Sequence, residues 1–258
     1  MSSNGVYLEL LGAFELSYAG CRIPLPSGAQ RLLALLAVRT AGVYRGAAAE
    51  LLWPDCVPSR ASANLRTALC HGRRAGPVTT VECVDRRLRL APVVAVDLHL
   101  VRAAARKAAT DGAPPAEREG LAARLREELL PRWSDEWLVL ERERWDQLRL
   151  HALEALAERL RREGRYLDAF QTALTATQID PIRETAQRIL VEILLAEGNR
   201  ACAVKRYRDY RRLLSRELAV EPSPLMTRLV QDATRPSGGR QPAAPGRRGA
   251  VRREVSGG

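Results

Sequence analysis

The first quarter of the chain alternates apolar and polar positions. Val6-Tyr7-Leu8-Glu9-Leu10-Leu11, Phe14-Glu15-Leu16-Ser17-Tyr18 and, after Ala19-Gly20, Arg22-Ile23-Pro24-Leu25 read as short antiparallel strands joined by turns. The period then changes. Leu32, Leu33, Leu35, Leu36 and Val38 recur at helical spacing within Gln30 to Thr40, and Gly42 stops the run. A second helix is predicted from about Arg45 to Trp53, ended by Pro54, and Pro58-Ser59 introduces a third from Arg60 to about Arg74. On that third helix Ala61, Leu65, Ala68, Leu69 and Gly72 share a face. Arg60, Asn64, Thr67, Cys70, His71 and Arg74 occupy the other. Val78 to Val84, a turn at Asp85-Arg86, and Arg87-Leu88-Arg89-Leu90 predict a β-hairpin with arginines at its tip.

From Asp97 onward the pattern is helical almost throughout. Gly164 and Gly198 lie 34 residues apart, each between two predicted helices (Arg149 to Glu163 and Tyr166 to Gln178; Glu184 to Glu197 and Ala201 to Leu218). An alanine follows five residues after each glycine, at Ala169 and Ala203, and Pro181 and Pro222 close the two units. A 34-residue helical period with small residues at the crossings is the mark of tetratricopeptide-like repeats, which bind protein surfaces. Trp133, Trp137 and Trp145 recur at intervals of four and eight residues, the spacing of a packed seam between two units rather than a ligand cage. Beyond Thr234 the chain is too poor in apolar residues to fold, and a disordered basic tail is expected. The expected fold class is thus mainly α with a small β component: a winged helix-turn-helix at 1–95, an all-α tetratricopeptide-like body at 96–234 and the tail at 235–258.

The distribution of charge strengthens this division. Residues 1–110 carry 14 basic against 7 acidic groups, 111–234 carry 21 against 22, and 235–258 carry 6 against 1. A basic head on a balanced body suits a polyanion partner. Five scattered cysteines without a Cys-x-x-Cys pair argue against a disulfide framework or zinc site and read as reduced, mostly structural thiols. His71, His99 and His151 are too separated for a metal set or a catalytic triad, and no phosphate-binding loop, metalloprotease motif or nucleophile elbow is present. No catalytic residue, cofactor or metal is therefore expected. Without a leader or an apolar run of membrane length, the chain is expected to act in the cytoplasm, on the nucleoid.

Strands, three helices and a basic hairpin, in that order, predict double-stranded DNA as the partner. The third helix would offer Arg60, Asn64, Arg66, Thr67, His71, Arg73 and Arg74 to the major groove, and Arg86 and Arg87 would reach phosphates or the minor groove. Gly72, in mid-helix, predicts fraying towards the helix C-terminus. That fraying opens an alternative: a helical-repeat adaptor whose winged helix has weak or lost DNA affinity.

Leu11-Gly12-Ala13-Phe14-Glu15-Leu16, Gln30-Arg31-Leu32-Leu33-Ala34, Leu52-Trp53-Pro54-Asp55, Asn64-Leu65-Arg66-Thr67-Ala68-Leu69 and Arg73-Arg74-Ala75-Gly76 resemble the Streptomyces antibiotic regulatory protein family of transcription activators. So do Leu140-Glu141-Arg142-Glu143-Arg144-Trp145, Leu194-Leu195-Ala196-Glu197-Gly198-Asn199 and Glu217-Leu218-Ala219-Val220-Glu221-Pro222-Ser223-Pro224. The resemblance implies an OmpR-like winged helix followed by a bacterial transcriptional activator domain. It also implies binding to direct repeats near the −35 region of biosynthetic-cluster promoters, self-association on DNA, and recruitment of RNA polymerase holoenzyme through its sigma factor and core subunits. Larger relatives append an ATPase domain, so a small member is expected. Where relatives carry a tryptophan, a basic residue and a leucine before the paired arginines, this chain has Cys70, His71 and Gly72.

Overall fold

A computed structural model describes residues 5–110 and 120–235; the tail expected to be disordered lies outside the described residues, apart from Arg235. Strands β1 (Val6–Glu9), β2 (Glu15–Tyr18) and β3 (Cys21–Arg22) form an antiparallel meander, with Val6, Leu8 and Leu16 turned inward. The β2–β3 turn places Ala19 and Gly20 at φ 48° and 79°. Positive φ at both central residues is the two-residue hairpin turn whose twist matches the strands. Helices α1 (Ser27–Val38), α2 (Arg45–Leu52) and α3 (Pro58–Gly72) follow, with a two-residue strand β4 (Val43–Tyr44) between the first two. After a short ribbon of β5 (Arg74–Ala75) and β6 (Val78–Thr79), the wing is built from β7 (Val81–Val84) and β8 (Arg87–Leu90), with β4 completing its sheet in the order β4-β8-β7. Strand β9 (Val94–Val96) then returns to lie parallel beside β1, Val6 opposite Val94.

Helix α3 starts two residues before the predicted Arg60, because proline suits the first helical turn, where its missing N–H has no partner to lose. It ends at Gly72, so that Arg73 is its cap and Arg74 lies in β5 rather than on the helix. The helix is continuous through Gly72, the Arg73 amide donates to Leu69 carbonyl at 3.0 Å, and the buried Thr80 hydroxyl donates to the Gly72 carbonyl. Gly72 lies on the buried face, where a Cβ would stand 3.5 Å from Ala29 Cβ and 3.7 Å from Leu33 Cγ, ordinary packing distances against α1.

The body begins with α4 (Asp97–Ala109) and the short α5 (Leu121–Arg124). It continues as α6 (Glu136–Arg162), α7 (Tyr166–Ile179), α8 (Glu184–Ala196), α9 (Arg200–Leu218) and α10 (Pro224–Thr234). Gly164 and Gly198 end α6 and α8 in the same way. The residue after each glycine donates back to the carbonyl five residues earlier (Arg165 to Leu160, 2.9 Å; Asn199 to Leu194, 2.8 Å). Each glycine itself donates three back (to Arg161, 3.1 Å; to Leu195, 3.0 Å). This paired bond pattern needs a left-handed residue, and the two glycines sit at φ 76° and 80°. Ala169 and Ala203 are fully buried where consecutive helices approach. Ser223 caps α10, its hydroxyl accepting from the Met226 amide at 3.2 Å, with Pro224 in the first turn.

The two halves share one apolar core, running from Leu8 and Leu36 through Leu98 to Trp145 and Leu153. Buried Asp97, the first residue of α4, accepts from the amides of Leu10 and Leu11 at 2.9 and 3.0 Å, and from its own neighbour Leu98 at 2.6 Å. Burial pushes its carboxyl above the ordinary range, against the pull of those amides and of Arg124. The segment after α5 then runs beside the same strand end, Leu130 donating to Leu10 carbonyl at 2.9 Å and Gly12 to Glu128 carbonyl at 2.7 Å. Arg142 holds that segment by donating to the carbonyls of Leu129, Leu130 and Trp133, while Trp145 and Arg149 reach the Glu127 carbonyl. Trp133 stacks on Phe14 with ring centres 5.9 Å apart, and Arg31 of α1 pairs with Asp135. The tryptophan seam lies between the two halves.

Two glycines should respond oppositely to the same change. Gly72→Ala should raise stability by about 0.5–1 kcal/mol, because the site has helical φ and room for a methyl group. Gly198→Ala should lower it by about 1 kcal/mol through left-handed strain alone, since nothing lies within 4 Å of the new Cβ. Thermal melts of both variants read the two signs. Asp97→Ala, which strands the Leu10 and Leu11 amides, should cost about 3 kcal/mol in urea denaturation; a loss under 1 kcal/mol would show that water takes over both bonds.

Candidate nucleic-acid interface

Helices α2 and α3, joined by Trp53–Val57, form the helix-turn-helix, and α1 packs behind α3 against Ala61, Leu65, Ala68 and Gly72. The face left outside carries Ser59, Arg60, Ser62, Arg66, Thr67, Cys70 and His71, all exposed. Asn64 is half-buried on the flank, its amide 4.0 Å from Cys56 Sγ in the inter-helix turn. Thr67 turns its hydroxyl back onto the Ala63 carbonyl at 3.3 Å and presents its methyl group outward. The first turn of α3 holds no acidic residue and no side chain caps it, so its amide end favours an anion.

The wing joins this surface through its turn. Asp85 and Arg86, at φ 49° and 62°, form the same two-residue turn as Ala19-Gly20, which extends Arg86 from the hairpin tip. Arg87 behaves differently. It pairs across to Tyr44 of β4, its guanidinium 4.5 Å above the Tyr44 ring and 3.3 Å from its hydroxyl. It stands next to the wing tip, half-buried and propped on the β4 tyrosine. Arg73 and Arg74, expected at the end of the helix, are exposed on the cap and on β5.

Many arginines of the body have partners: Arg183 on Glu154 at 2.6 Å, Arg161 on Glu158 at 2.6 Å, Arg149 on Asp146 at 2.7 Å, and Arg142 on three carbonyls. Arg106, Arg132, Arg200, Arg208 and Arg228 are exposed there and scattered, without an ion pair to a described residue. Arg60, Arg66, Arg73, Arg74 and Arg86 are exposed and make no ion pair with any described residue. Most of the uncompensated charge of the winged helix lies on α3, its cap, β5 and the wing tip, and Arg45 and Arg89 near the wing add to it.

Pattern reading missed four residues of this surface. At 100° per residue Ser59 and Ser62 fall within about 60° of each other beside Arg66, yet short hydroxyls carry no signal above a polar helix face. Tyr44 and Arg45 are exposed next to the wing because β4, two residues long, cannot be seen as a period. The structural role given to the cysteines is corrected: Cys21, Cys70, Cys83 and Cys202 are exposed and only Cys56 is half-buried, because their positions fall opposite the apolar stripes. Among the described residues no three His, Cys, Asp or Glu side chains gather as a metal site, and no helix is long and apolar enough to cross a membrane.

Comparisons with known proteins agree with this architecture. The bacterial transcriptional activator domain model matches residues 96–233. The regulatory protein AfsR of Streptomyces griseus is 29% identical over 220 residues, and that of Streptomyces coelicolor 28% over 219. Each alignment covers 80% of this chain and 22% of the relative, so the chain spans only about a fifth of those proteins. In three dimensions the chain is similar to Mycobacterium tuberculosis EmbR, solved in complex with a low-affinity phosphopeptide. The TM-score is 0.72 at 20% identity, over 88% of this chain and 64% of that one. The chain belongs to the bacterial transcriptional activator domain family, and its plan of winged helix plus helical repeats is that of the Streptomyces antibiotic regulatory protein type of regulator.

Proposed function

We propose that the chain is a sequence-specific, double-stranded-DNA-binding transcription activator acting on the nucleoid. The observation that supports this most is the gathering of five exposed, unpaired arginines on α3, its end and the wing tip, beside a first helical turn that holds no acidic residue. Helix α3 enters the major groove with Ser59, Arg60, Ser62, Arg66 and His71 towards base edges and phosphates, while Asn64 reads from the flank. Arg73 and Arg74 follow the backbone at the helix end, and Arg86 reaches the neighbouring phosphates, with Arg87 holding the wing at the angle this requires. Two copies occupy adjacent direct repeats in the same orientation, and the helical body meets RNA polymerase holoenzyme at the promoter of a secondary-metabolite cluster. The alternative, a helical-repeat adaptor whose winged helix has weak or lost DNA affinity, would show no duplex binding at low salt.

Genomic DNA fragments retained by the purified protein at physiological salt should be enriched in a few promoters bearing spaced direct repeats; equal retention of all fragments, or of none, would remove sequence-specific activation as the function. On an enriched site, replacing Arg60 and Asn64 together by alanine should erase the preference for that sequence over random duplex. Arg86→Ala should instead weaken every duplex alike and reduce the slope of log affinity against log salt by about 1. An unchanged slope would take the wing tip out of the interface.

A further inference from the structure

Behind the recognition face, where α1 meets α4 and α6, a cleft of about 600 Å³ opens between the winged helix and the body. Its walls carry Arg39 at the end of α1, Arg102 and Arg106 of α4, and Arg144 of α6, around a single buried carboxylate, Glu141. Glu141 lies 2.8 Å from Arg144, 3.5 Å from Arg102 and 3.9 Å from Arg39. Arg106 is exposed and forms no ion pair with a described residue. One carboxylate therefore faces four guanidiniums, an excess of three positive charges at one recess. The crowding is felt electrostatically: burial pushes Arg102 below its ordinary range, Glu141 pulls it back, and Arg106 and Arg144 push it down again. Beside the cleft, on the Gly42 wall, the Arg89 Nε–H is buried with no hydrogen-bond partner among the described residues. A Cβ on Gly42 would stand 3.0 Å from that nitrogen.

Four cations drawn from three helices are more than Glu141 needs. Two guanidiniums satisfy a carboxylate bidentately, and a structural ion pair gains nothing from further like charges around it. We propose that this cleft is a binding site for a compact polyanion, a di- or triphosphate group, bridged between Arg39 on one side and Arg102, Arg106 and Arg144 on the other. Planar guanidiniums match phosphate oxygens in pairs, and the recess partly excludes water and screening salt. None of the exposed α3 residues lines it, which separates it from the proposed duplex surface. Because Arg39 belongs to the winged helix and the other three to the body, a bound polyphosphate would brace the seam between them. The site stands independently of the DNA-binding reading.

Calorimetric titration of the full chain with pyrophosphate, adenosine triphosphate and a random duplex tests this. Pyrophosphate should bind saturably at one site per chain and raise the melting temperature. Arg106→Ala, which removes a guanidinium without touching the Glu141 pairs, should weaken that binding about tenfold while leaving the ligand-free melt unchanged. Arg106→Lys should recover part of the loss. Equal affinity for the two phosphates assigns the site to the phosphate chain alone, and a much tighter triphosphate assigns it to a nucleotide; either supports the proposal. No saturation at millimolar pyrophosphate, or binding indifferent to Arg106→Ala, overturns it. A variant that loses duplex affinity while the wild type ignores pyrophosphate makes the cluster part of the DNA surface instead.

Discussion

The Asp97 carboxylate ties the end of the first strand to the start of the helical body. Strand β1 ends at Glu9, and the amides of Leu10 and Leu11 emerge from it into the core with no strand partner. Two buried N–H groups left unpaired there would cost more than most side-chain contacts return. Asp97 meets both with one side chain, from the residue immediately after β9, the strand that has just paired with β1. Burial holds the carboxyl above its ordinary range while the three amides and Arg124 pull it back, so the fold accepts a desolvated carboxyl here to satisfy the backbone around it.

That junction determines what the rest of the seam must do. Because Leu10 also accepts from Leu130 and Gly12 donates to Glu128, the irregular segment between α5 and α6 is laid along the strand end as a further edge. Its own carbonyls then need donors, and α6 provides Arg142, Trp145 and Arg149 from successive turns of one helix. Arginine and tryptophan on α6 thus serve backbone carbonyls, and the α1 end is tied by Arg31 to Asp135 and by His99 to the Ala37 carbonyl at 2.7 Å. With so many bonds crossing it, the seam ties the three-helix head firmly to the repeats.

Charge is partitioned by the same logic. Most arginines near the seam and within the repeats are paired with carboxylates or donate to carbonyls, whereas those on α3 and the wing tip are exposed without an ion pair to a described residue. The cleft at Glu141 is the exception within the seam, a place where cations outnumber anions although both halves of the molecule contribute them.

The sequence by itself determined the main elements and their order, though not the short strands β4 and β9. Period-two alternation located β1 and β2, apolar stripes located α1 to α3, and Gly164 and Gly198 marked the repeat, because each signal depends on contacts within a few residues. Asp85-Arg86 was legible as a turn for the same reason. The pattern put Gly72 on the apolar face of α3, but only the tertiary structure shows that Ala29 and Leu33 are its neighbours, since a helical period knows nothing of the helix packed against it. The tertiary structure alone decided that β9 returns beside β1, that Asp97 serves amides 86 and 87 positions away, and that Arg87 leans on Tyr44 while Arg86 projects. The candidate DNA face was visible as a list of polar residues. Which arginines on it remained free was not, because pairing depends on the carboxylates that folding brings near, and a sequence pattern records none of those distances.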